Sequence, residues 1–226
     1  MPTLYIVATP IGNLEDITLR ALRVLSEVDV IFCEDTRVSQ KLLKHFKINK
    51  PLKIFYEHTL VPSTQYLAPY ENIAYVTDAG TPGVSDPGAK LVAYAREQGI
   101  NVVSVPGPSA ITSLISISGL DITEFTFLGF LPHKKGRETL IKEIAKSERA
   151  VIVYESPHRI IKFLNKLSEF APDKKVIIGR ELTKKFEEVL IGKPSELVKI
   201  LSENKQKQKG EFAVLVTNYQ IIKHPN

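Results

Sequence analysis

The residues with the most chemical content sit in short loops. The richest is VTDAGTPGVSDPGAKLV, residues 76–92, where Gly80, Gly83 and Gly88 alternate with Pro82 and Pro87 around two carboxylates, Asp78 and Asp86. Glycine admits left-handed backbone and leaves amides exposed, while proline stiffens the chain. A stiff loop with exposed amides after a buried strand is what a nucleotide-like ligand needs; the plain alternative is a structural Ω-loop. ATPIGNLEDIT, residues 8–18, ends a strand at Thr9 and turns tightly through Pro10, Gly12 and Asn13. It is not GxGxxG, and it lacks the Lys of a P-loop. VPGPSAITSL, residues 105–114, is adequately explained as a helix start capped by Pro108 and Ser109.

Ionisable groups concentrate in three further places. In CEDTR, residues 33–37, Glu34, Asp35 and Arg37 make either a local ion-paired turn or a substrate-binding group at a strand end. YESPHR, residues 154–159, carries Glu155, His158 and Arg159; an exposed turn is the plain reading of its histidine. GRELTKKFEEVL, residues 179–190, gathers Arg180, Glu181, Lys184, Lys185, Glu187 and Glu188, for which the plain reading is a charged helix face.

Alternating elements position these loops. Apolar runs read as strands at Leu4–Ala8, Val30–Cys33, Ile73–Thr77 and Val102–Val105. Helical spacing appears at Thr18–Val28, Ser39–Phe46 and Ala89–Gln98, with Pro108 just inside a fourth helix. Strand–loop–helix alternation predicts an α/β fold with a mainly parallel sheet, whose ligands lie beyond the carboxyl ends of the strands. Near Ser118–Glu124 the pattern changes. Strands then read at Phe125–Phe130, Ala150–Glu155, Lys175–Arg180 and Phe212–Thr217, with helices at Arg137–Ser147, Ile160–Phe170 and Pro194–Glu203. The boundary is placed at residue 118, giving domains 1–118 and 119–226.

Composition narrows the class. The 226 residues hold 43% hydrophobic and 24% charged side chains, near the globular average, so disorder and collagen are excluded. The single cysteine excludes a disulfide framework and a cysteine zinc site. No apolar run reaches the ~18 residues of a membrane helix. The N-terminus lacks the basic segment of a signal peptide, which points to the cytoplasm. The net charge of +5 suits an anionic partner or an ordinary lysine-rich surface. Basic residues cluster at Lys41–Lys50, His133–Arg137 and Lys205–Lys209.

Taken in order, TPIGNLEDIT, CEDTR, VTDAGTPGVSDPG, VPGPSA, YESPHR, RELTK and GEFAVLV closely resemble the bacterial small-subunit ribosomal RNA 2′-O-methyltransferase I family, within the tetrapyrrole-methylase superfamily. The resemblance spans residues 4–217. It implies two α/β domains with S-adenosylmethionine in the cleft between them, a homodimer, and methylation of a cytidine ribose 2′-hydroxyl in the decoding region of 16S rRNA. It places cofactor contacts at Pro10, Asp78, Ala79, Gly80, Thr81, Val84, Ser85 and Asp86. Further contacts fall at Ser109, Ala110, the strand end around Leu128 and the start of YESPHR at Tyr154. Many members continue into a small helical domain after the GEF motif. This sequence stops at Asn226, which bears on the grip on RNA and reads as a short variant or a cut C-terminus.

Methyl transfer from a sulfonium needs alignment of the acceptor with the S–CH3 bond, plus a base or a cation for the poorly nucleophilic hydroxyl. Candidate bases are Glu155, His158, Glu181 and Asp35, led by Glu155 and Glu181. Arg180, Lys184 and Arg37 are candidate cations. No metal is required. The substrate RNA is expected to meet Glu34, Asp35, Arg37, Lys134, Lys135, Arg137, Arg159 and Lys184, with His133 and Lys205–Lys209 as further phosphate contacts. The competing expectations are a methyltransferase acting on a precorrin-type tetrapyrrole and a non-catalytic RNA-binding assembly factor. A dinucleotide oxidoreductase fits worse, because GxGxxG is absent.

Overall fold

The computed structural model describes residues 1–55 and 67–219. The chain divides into two compact units, Met1–Ser109 and the part from Ala110 onward. This division precedes residue 118 because the helix Ala110–Ser116 packs against the strand Phe212–Thr217 of the second unit.

The first unit is built on five strands: β1 (Thr3–Val7), β2 (Val30–Cys33), β3 (Leu52–Ile54), β4 (Asn72–Val76) and β5 (Asn101–Val105). Their order is β3-β2-β4-β1-β5 and every pairing is parallel. Both faces are covered, which explains why the strands read as continuous apolar runs. Ile31, Cys33, Ala74 and Val76 face α1 (Leu19–Glu27) and α2 (Thr36–His45). Val30, Phe32, Ile73 and Tyr75 face Leu91 and Ala95 of α3 (Gly88–Glu97). Thr18 starts α1 by accepting the Ala21 amide at 3.0 Å. Asp35 starts α2 by accepting the Arg37 amide at 2.8 Å, ahead of the Ser39 start read from apolar spacing.

The second unit opens with α4 (Ala110–Ser116), so Pro108 lies before that helix rather than inside it. Its strands are β6 (Phe125–Phe130), β7 (Ala150–Glu155), β8 (Lys175–Arg180), β9 (Glu188–Gly192) and β10 (Phe212–Thr217). The order is β6-β7-β10-β8-β9, with β6 parallel to β7 and the other pairings antiparallel. Helices α5 (Arg137–Lys146), α6 (Ile160–Phe170) and α7 (Pro194–Glu203) bury Ile144, Phe163 and Leu197 against β7, β8 and β10. The segment expected to form a charged helix face is instead a loop, residues 181–187, running into the edge strand β9. Pairing with β8 overrides its mixed composition.

Candidate active site

The candidate site lies at the carboxyl edge of the first sheet, where the loops after β1, β2, β4 and β5 meet. Thr9 and Gly80 exchange backbone hydrogen bonds of 2.9 and 3.0 Å. The Thr9 hydroxyl donates to the Thr77 carbonyl at 3.2 Å, and the Thr81 hydroxyl to the Pro108 carbonyl at 3.0 Å. Gly80 has φ +84°, and a Cβ there would stand 3.3 Å from Ile11 Cγ2. Only glycine sits at that junction without strain. Asp86 closes its own loop, accepting the Val84 amide at 2.9 Å and the Gly88 amide at 2.7 Å. Between them Ser85 holds φ 66°, a left-handed position costly for a non-glycine residue and typical of ligand sites.

The electrostatics are acidic. The Thr77 hydroxyl donates to the half-buried Glu34 carboxylate. Burial raises the Glu34 carboxyl, the Thr77 bond opposes the shift, and the charges of Asp78 and Asp86 add to it. The Asp78 carboxyl is likewise raised by desolvation, with the Asp35 amide pulling down and the Asp35 charge pushing up. Asp35 behaves oppositely. Its carboxylate binds the Arg37 guanidinium through a 2.6 Å contact as well as the Arg37 amide, and its pKa falls to about 2. With Arg37 engaged in this way, the site presents four carboxylates and no uncommitted cation among these groups. That field suits a cationic ligand and opposes a pyrophosphate. The Tyr75 hydroxyl is buried nearby without a hydrogen-bond partner among the described residues, and the charges of Asp86 and Glu34 raise its pKa further after burial itself.

The second unit gathers its own candidates into two constellations. In the first, Glu155 is fully buried between two guanidiniums. Its Oε2 meets Arg137 Nη2 at 2.5 Å, and its Oε1 meets Arg159 Nε at 2.9 Å and the Ser156 amide at 2.8 Å. The same arginines reach the carbonyls of Pro132 and Leu131, at 3.3 and 3.0 Å. Both carboxylate oxygens are therefore committed, an arrangement suited to fixing the end of β6 and the YESPHR turn. In the second, Glu181 Oε1 accepts the Lys184 ammonium at 3.0 Å and the Glu211 amide at 2.9 Å. Burial alone raises the Glu181 carboxyl, but these partners outweigh it and lower it. Arg180 spends its donors on three backbone carbonyls, those of Lys209, Phe186 and Gln206, at 2.8, 3.1 and 3.0 Å.

The sequence candidates thus fall in separate groups. Pro10, Glu34, Asp35, Arg37 and residues 78–86 share the edge of the first sheet, and Ser109 ends that unit. Ala110 opens α4. Leu128 packs against the second core, and Tyr154 stacks edge-on against Phe127 at 5.0 Å. His158, Lys134 and Lys135 are exposed. Thr77, which orients Glu34, was missing from the sequence candidates. It follows β4 and meets Glu34 beyond the neighbouring strand β2, a lateral pairing that linear spacing does not encode.

The model of the Tetrapyrrole (Corrin/Porphyrin) Methylases matches residues 3–198. The chain belongs to the tetrapyrrole methylase family. Among similar proteins is one from Borrelia garinii named Ribosomal RNA small subunit methyltransferase I, 47% identical over 95% of this chain and 98% of the relative. Proteins of the same name from Vibrio cholerae and Thermotoga maritima are 45% and 43% identical. They cover 97% and 96% of this chain, and the matches span 78% and 99% of those relatives. Membership makes the chain a methyltransferase and calls for a methyl donor. Among the described residues, no group of three or more His, Cys, Asp or Glu side chains is arranged to hold a metal ion. No helix among them is long and apolar enough to cross a membrane.

Proposed function

We propose that this tetrapyrrole methylase transfers a methyl group from S-adenosylmethionine to the ribose 2′-hydroxyl of a cytidine in the decoding region of small-subunit ribosomal RNA. The observation that carries the reading is near-full-length similarity to three proteins named for ribosomal RNA small-subunit methylation. The homodimer implied by the resemblance, and a cytoplasmic location, belong to the same proposal.

The first unit suits the cofactor chemically. S-adenosylmethionine supplies a methyl group on a sulfonium, already activated toward displacement. Pro10, the 78–86 loop and Ser109 hold it, and the Asp78 carboxylate favours its positive charge over a phosphate. The left-handed Gly80 lets backbone approach where a side chain would intrude on Ile11. Glu34 accepts the proton that the ribose hydroxyl gives up, because its carboxyl is both oriented by Thr77 and raised by burial. Asp35 is too weak a base, at about 2. Glu155 and Glu181 are committed to cations and amides, and act as positioning groups.

Calorimetric titration with S-adenosylmethionine tests the cofactor assignment. Wild-type protein is expected to bind. Gly80→Val and Asp78→Ala are expected to lose at least tenfold in affinity. The valine forces a branched side chain into left-handed backbone, at roughly 1–2 kcal/mol or more, and into Ile11. Equal affinity in all three proteins would remove the loop from the cofactor site.

A further inference from the structure

We propose that Phe186, at the tip of the loop between β8 and β9, is a stacking platform for an unpaired nucleobase of the RNA substrate. The proposal rests on the RNA-methylation reading above and names a subsite for it.

Phe186 is 66% exposed. Isolated exposed apolar side chains are common, so exposure alone decides nothing. What distinguishes this ring is the bracing beneath it. Glu181 and Thr183 both hold left-handed backbone, with φ 50° and 66°, although neither is glycine. Glu181 and Glu211 exchange two hydrogen bonds of 2.9 Å, and Lys184 bridges both carboxylates at 3.0 and 2.9 Å. The Glu187 carboxylate accepts the Thr183 amide. Arg180, 11% exposed, grips the Phe186 carbonyl itself. Strained backbone and a committed arginine are spent to present an aromatic ring to water. A preorganised aromatic loses little entropy when a partner covers it.

The surroundings identify the partner. The same guanidinium that holds the Phe186 carbonyl also holds those of Gln206 and Lys209. One side chain therefore draws the aromatic tip and the Lys205–Lys209 run together. Lys205 and Lys209 are exposed there. Lys185 Nζ stands 5.7 Å from the Phe186 ring centroid, and Lys185 has no acidic partner among the described residues. A lone ring with one ammonium beside it and a lysine-bearing run held by the same arginine is not a contiguous apolar patch for a protein partner. It is the combination that binds single-stranded nucleic acid: an aromatic face for the base and cations for the backbone.

The chain contains no tryptophan. Phe186→Trp therefore installs the sole indole, whose emission reports stacking directly. Titration with single-stranded oligocytidylate is expected to quench that emission. Phe186→Ala is expected to weaken binding of oligocytidylate and small-subunit rRNA by about tenfold, with S-adenosylmethionine affinity and melting temperature unchanged. No quenching, with Phe186→Ala binding rRNA as tightly as a wild type that still methylates it, would overturn the platform and leave the methylation reading standing. A wild type that neither binds nor methylates rRNA would overturn both. A Phe186→Ala protein that sediments as a smaller species than wild type would also overturn the platform, since a second copy then covers the ring.

Discussion

Glu34→Gln is expected to reduce the rate of methyl transfer by about 10²–10⁴-fold, the usual worth of a positioned general base, without lowering the melting temperature. The two halves of this result have one cause. The Glu34 carboxylate sits half-buried at the end of β2, near Asp78 and Asp86, and its pKa is raised above its ordinary 4.5. A raised carboxyl makes a better base at neutral pH and a costlier charge to keep in the folded state. Glutamine retains an oxygen for the Thr77 hydroxyl and removes the charge. The sign in stability follows from proton linkage. The native state binds the Glu34 proton more tightly than the unfolded chain does, so Glu34 costs stability as pH rises from 4.5 through its folded pKa. Above that window the cost is fully present, and the substitution relieves it. The rate behaves oppositely in wild type. It falls as pH drops through the raised pKa and the base becomes protonated, and this acid limb disappears in the variant. Rate measurements under saturating donor, with thermal melts of both proteins, check each half. A slow variant that also melts well below wild type would make Glu34 a structural residue.

Glu155→Ala is expected to have the largest effect on stability. The carboxylate is fully buried, and its two arginines are only 14% and 15% exposed. Its removal leaves two guanidiniums facing each other with no counter-charge. Breaking a buried ion pair from one side costs roughly 3–5 kcal/mol. At about 2–4 °C per kcal/mol for a chain of this size, the melting temperature drops by roughly ten degrees. The Leu131 and Pro132 carbonyls lose their fixed donors at the same time. Arg137→Ala is milder, because Arg159 still neutralises Glu155. Thermal melts of the three proteins test the order. If Glu155 were instead a proton acceptor, Glu155→Gln would abolish methyl transfer at a temperature where the protein is fully folded.

Most elements were legible because both faces of the first sheet are buried, so β1, β2, β4 and β5 announce themselves as apolar runs. The loops at their carboxyl ends were legible for a different reason. Gly80 and Pro82 are punctuation that a βα turn does not need. What sequence could not assign was the work of each charged residue. Glu155 and Glu34 are the same residue type at the ends of two strands. One is sealed by arginines eighteen residues before it and four after it, and the other is raised by burial and then by the charges of Asp78 and Asp86 in the loop after β4. Only lateral pairing separates a clamp from a base. The strand β9 stayed hidden because its glutamate start and short length read as the end of a charged helix. Its partner β8 supplies the pairing that local propensity lacked.

The most direct measurement maps ribose methylation on small-subunit rRNA incubated with the protein and S-adenosylmethionine. One new 2′-O-methylcytidine in the decoding region is expected from wild type, and at equal incubation time and limiting donor a much lower yield from Glu34→Gln and from Gly80→Val. Protein that binds the donor yet leaves the rRNA unmethylated, both naked and within assembled small subunits, while methylating a tetrapyrrole, would contradict the proposed function.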